Sequence, residues 1–97
     1  MIKKELNFES KDYGKLPIAN LQLKSGMLFL KIDDFDLIGE DFKKYQYKEY
    51  DNTPKNLKKL IEVMGEMKKS AEAYVLKAIK NGGTDSKSIK IELKNLE

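Results

Sequence analysis

From residue 54 to about residue 81, apolar side chains recur every three or four positions, at Leu57, Leu60, Ile61, Met64, Met67, Ala71, Tyr74, Val75, Ala78 and Ile79. That spacing lines one side of an α-helix. Thr53 can accept from the first free N–H groups, Pro54 suits the first helical position, and Asn81-Gly82-Gly83 offers a left-handed cap. Such a helix is roughly 40 Å long at about 1.5 Å per residue, more than the width of a compact domain of this size. Part of it is therefore expected to project or to meet a second copy. Gly65, costing about 1 kcal/mol inside a helix, predicts a bend there or close approach by a strand.

Elsewhere the period is two. Ile2, Leu6 and Phe8 alternate with Lys3, Glu5 and Asn7, interrupted at Lys4, and predict a first strand followed by a turn-like loop over 10–15. Ala19, Leu21 and Leu23 alternate with Asn20, Gln22 and Lys24 in a second strand. Pro17, which cannot donate to a ladder, belongs at the start of that strand or on a sheet edge. Ser25-Gly26 predicts a tight hairpin, with Gly26 at positive φ, leading into residues 27–32. That run is apolar on both faces, as a central strand covered on both sides would be. Residues 42–50 contain the rings Phe42, Tyr45, Tyr47 and Tyr50. A helical wheel scatters them, whereas Tyr45 and Tyr47 share a strand face, so a fourth strand is expected. After a loop over 82–86, residues 88–95 form the last strand, Ile89, Ile91 and Leu93 alternating with Lys90, Glu92 and Lys94.

The order β-β-β-β-α-β predicts a single α+β domain over 1–97, an antiparallel sheet of about five strands with the long helix across one face. A four-stranded meander followed by a helix resembles the Whirly single-stranded DNA binders, and the resemblance implies a related role. The extra C-terminal strand and the lack of arginine depart from that pattern.

Composition narrows the chemistry. The 97 residues, 40% hydrophobic and 36% charged, suffice for one modest core that dimerisation would help to stabilise. No apolar run approaches the roughly 20 residues that cross a bilayer, and the N-terminus passes directly into a strand pattern, so no membrane partner and a cytoplasmic location are expected. With no cysteine there is neither a disulfide framework nor a thiolate metal site. All nineteen basic residues are lysine in a chain of net charge +3. An AT-rich genome imposes the same bias, and point charges attract a polyanion without reading its sequence. Lack of histidine removes the commonest general base and zinc ligand.

Residues 33–41 hold five carboxylates, Asp33, Asp34, Asp36, Glu40 and Asp41, and no lysine. Asp34 to Gly39 opens like a calcium loop, but Ile38 and Tyr45 stand where ligands are needed. A solvated turn whose charges keep a strand edge from pairing is the simpler reading. Glu92 and Lys94 do not reach the constellation of a metal-dependent nuclease, and no serine has a base to serve it. No enzyme, metal or cofactor is expected.

Two functions remain. Residues 42–50 interleave rings with cations, and Lys43, Lys44, Tyr45, Tyr47 and Lys48 are the expected contacts for single-stranded DNA or for DNA bound without sequence preference. The alternative is a protein-binding modulator or inhibitor whose Asp33, Asp34, Asp36, Glu40 and Asp41 meet a basic partner. A homodimer through the helix is suggested by the seven-residue spacing of Leu57, Met64, Ala71 and Ala78 and of Leu60, Met67 and Tyr74.

Overall fold

The computed structural model describes residues 1–81 and 89–96. Its elements are β1 (Ile2–Ser10), β2 (Gly14–Lys24), β3 (Met27–Ile32), a 3-10 helix (Glu40–Tyr45), β4 (Tyr50–Asp51), α1 (Pro54–Lys80) and β5 (Ile89–Asn95). The strands form one antiparallel sheet in the order β4-β3-β2-β1-β5, the α+β arrangement that the periodicities predict. The expected glycine cap, the loop over 82–86 and Ser88 lie outside the described residues.

The β2–β3 hairpin closes through Ser25 and Gly26, both at positive φ (53° and 77°), the two-residue turn whose twist matches the strands it joins. Lys24 pairs with Met27 across it. In β2, Leu6 faces Ala19 while Asn7 faces Pro17, so Ile18 is an extra residue that bulges into the core. Its carbonyl accepts from the N–H groups of Asp33 (2.8 Å) and Asp34 (3.2 Å), which ties the chain leaving β3 to β2. Pro17 lies inside the strand, not at its start. It sits beyond the stretch paired with β3, where β2 is an edge and its missing N–H costs nothing.

One sheet face presents Leu6, Ala19, Leu21, Leu28, Leu30 and Ile32, all buried, to α1. From the helix come Leu60, Val63, Met64, Met67, Ala71 and Val75, with Leu57 and Ile61 half-buried beside them. Thr53 Oγ1 accepts from Asn56 N at 3.2 Å, the expected cap. The molecule measures 45 × 25 × 17 Å, so a helix of about 40 Å runs close to its long axis and need not project. Leu60, Met64, Met67 and Ala71, four of the seven heptad positions, are wholly buried against the chain's own sheet and are unavailable to a seam. Gly65 marks no close approach, since a Cβ placed there meets nothing within 4 Å.

Two further expectations change. Residues 27–32 are covered on one face only: Leu28, Leu30 and Ile32 are buried, while Met27 and Phe29 stand half-buried on the other. Residues 42–50 are not a strand. Phe42 and Tyr45 fall three apart, the period of a 3-10 helix, which puts both rings on the side facing the core. Only Tyr50 and Asp51 pair as β4, against Leu28 and Met27.

Candidate nucleic-acid interface

Strand pleating sends Glu5, Asn7, Glu9, Lys15, Asn20, Gln22, Lys24, Met27, Phe29, Lys31, Lys90, Glu92 and Lys94 to the face opposite α1, which no described element covers. Five lysines there oppose three glutamates, a weakly positive platform. Lys15 lies 3.5 Å from Glu5, and Lys90 lies 2.8 Å from Glu92. The Lys90 pair hydrogen-bonds as well as attracting electrostatically, which raises the lysine pKa and lowers that of the carboxylate.

Along the β3 rim of this face the segment after the 3-10 helix is clamped by a side chain. Gln46 accepts from Ile32 N at 2.8 Å and donates to Ile32 O at 2.7 Å, supplying both hydrogen bonds that a neighbouring strand would make there. Tyr47 follows with φ of 62°, in the left-handed region that a bulky side chain rarely adopts, its N–H directed at Leu30 O (3.4 Å). Tyr47 is 69% exposed and lines a groove of about 370 Å³ with Lys24, Ser25, Met27, Phe29 and Glu49.

The structure divides the five residues expected to act together. Tyr45 packs on the core, with Lys44 Nζ 5.4 Å from its ring centre. Lys43 and Lys44 are exposed in the last turn of the 3-10 helix, where cations favour the carbonyl end. Lys48 Nζ (5.6 Å) and Lys59 Nζ (5.5 Å) both approach Tyr50. Burial, with Tyr45 beside it, pushes the Tyr50 hydroxyl pKa up. Tyr45 and Tyr47 therefore share no face, and Tyr47 alone of the pair offers an open ring. The groove neighbours of Tyr47 that sequence reasoning missed are Lys24, Met27 and Phe29, together with Gln46, which clamps the segment before it. The hairpin register points the first three to one side of the sheet, but nothing in the sequence says that this side lacks a cover.

The acidic stretch is more anchored than a solvated turn. Phe35, Leu37 and Ile38 pack on the core, Ile38 only 6% exposed. Asp34 Oδ1 accepts from Asp36 N at 2.9 Å, closing an Asx turn, and Lys31 reaches Asp33 at 3.9 Å. Glu40 and Asp41 occupy the first turn of the 3-10 helix. Among the described residues no three acidic side chains converge as a metal site requires. No described helix is long and apolar enough to cross a membrane.

Comparison with protein-family models, with characterised proteins and with solved structures finds no match to this chain. The likeness to Whirly proteins thus rests on element order alone.

Proposed function

We propose that this protein is a non-enzymatic binder of single-stranded nucleic acid, which it takes on the uncovered face of its sheet. The observation that carries this reading is Tyr47, an exposed ring held in a strained backbone conformation above a groove shared with Phe29, Met27 and Lys24. Strain of about 1 to 3 kcal/mol persists where the surroundings impose it, and here it presents a flat ring to solvent. Bases stack on such a ring without regard to sequence, while Lys24 and Lys31 attract the phosphates as point charges. Tyr47 and Phe29 offer the stacking surface, whereas Tyr45 packs on the core and supports the fold.

Fluorescence anisotropy of a labelled strand of about 12 nucleotides tests the reading at about 50 and 200 mM salt, where released counterions should weaken binding steeply. Tyr47→Ala should weaken it by about 1 to 3 kcal/mol, or roughly 5- to 150-fold, with an unchanged circular dichroism spectrum. Absence of binding at the lower salt would sink the proposal, and indifference to Tyr47→Ala would move the site.

A second reading has one observation in its favour. Phe35, Leu37 and Ile38 hold the acidic stretch against the core while Asp33, Asp36, Glu40 and Asp41 remain exposed, a rigid anionic patch suited to a basic protein partner. Changing Asp33, Asp34 and Asp36 to asparagine should leave folding intact and slow association with such a partner. A pull-down that recovers nucleic acid and no protein would count against it.

A further inference from the structure

The two edges of the sheet are built differently. On the β3 side, the Gln46 amide occupies both polar groups of Ile32, and β4 covers Met27 and Leu28. On the other side β5 pairs with β1, and no described strand lies against its outer edge. An open row of N–H and C=O groups is a template for another strand. Beside that edge a groove of about 160 Å³ runs between β5 and α1, lined by Glu72, Val75, Leu76, Ile79, Ile89 and Ile91. Leu76 at its lip is 55% exposed.

The charges along β5 say what fits. Lys90, Glu92 and Lys94 stand on the uncovered face, and Ile89, Ile91 and Leu93 on the helix face. A register centred on Glu92 would set Lys90 against Lys94 and Glu92 against its mate, like on like, whereas a register centred on Ile91 sets Lys90 against Glu92. When two copies of β5 run antiparallel about a two-fold axis at Ile91, Ile91 meets its mate, Ile89 meets Leu93, and Lys90 meets Glu92 on both sides of the axis. Within one copy Lys90 Nζ already lies 2.8 Å from Glu92 Oε2, so the pairing completes a ring of four charges alternating in sign.

We propose that the outer edge of β5 is a dimer interface, to which a second copy of this chain adds its own β5 in the register centred on Ile91, with Leu76 and Ile79 of both copies closing the grooves. Two five-stranded sheets become one of ten, its two helices on one side and its two uncovered faces joined on the other. The Tyr47 grooves lie at opposite rims of that sheet. The interface stands whether or not those grooves bind nucleic acid.

Sedimentation velocity of the full chain from about 1 to 200 μM, the range in which mass action reveals modest dimers, tests it. The wild type should dimerise. Glu92→Lys and Lys90→Glu should each be monomeric where the wild type is dimeric, and mixing the two variants in equal amounts should restore a dimer, because each then carries the charges that the other needs. Leu76→Glu, on the helix and outside the strand, should also be monomeric and keeps the test open if a strand variant fails to fold. A wild type that stays monomeric throughout, single variants that dimerise as well as it does, or folded variants whose mixture stays monomeric would each overturn the proposal.

Discussion

Gln46 and Tyr47 are adjacent, and the first makes the second possible. The Gln46 amide holds the chain to Ile32 from both of its polar ends, so the backbone behind it has little freedom and Tyr47 takes φ of 62°. Gln46→Ala should cost about 1 to 3 kcal/mol, the price of two partly buried backbone groups losing their partners, read as a lower urea midpoint with unchanged slope. Tyr47→Gly should act in reverse: a glycine relieves a left-handed backbone by about 1 kcal/mol, so melting should rise while binding of single-stranded nucleic acid weakens as it does for Tyr47→Ala. Tyr50 supplies a pH test. Its folded pKa is raised by burial, so its contribution to stability is complete below about pH 10 and is lost as pH climbs through the folded value. Absorbance at alkaline pH should show a late-titrating tyrosine that Tyr50→Phe removes.

Among the elements, α1 is the most legible. Its stripe, its Thr53 cap and its length were all readable from spacing, because a helix is a local structure with a strong period. Gly65 was not, since only the packed structure shows open space around it. Gly65→Ala should therefore stabilise the protein by about 0.5 to 1 kcal/mol, seen as a rise in Tm with binding unchanged. Residues 42–50 do not form the expected strand because a mixture of a 3-10 turn, a side-chain clamp and a two-residue strand has no single period. Phe42 and Tyr45, three apart, were the available signal.

For the whole molecule the decisive fact is its two layers, one sheet face covered by α1 and the other covered by no described element. Met67 is wholly buried between them. Met67→Lys should therefore unfold the domain, by circular dichroism at any protein concentration, and not merely release a monomer from a helical seam. A folded Met67→Lys variant would put the helix surface back among the candidate interfaces.

Local pattern by itself determined α1 and the strands β1, β2, β3 and β5, the α+β class, the hairpin at Ser25-Gly26 and the face of α1 that is buried, because each follows from a period or a turn residue that acts over a few positions. Only the tertiary structure decided which sheet face no described element covers, that Tyr45 turns inward while Tyr47 turns outward, and that no described strand pairs with the outer edge of β5. Those outcomes depend on strand order and on the Gln46 clamp, contacts between residues distant in the chain, and hydrophobic period does not encode which partner a face or an edge will meet.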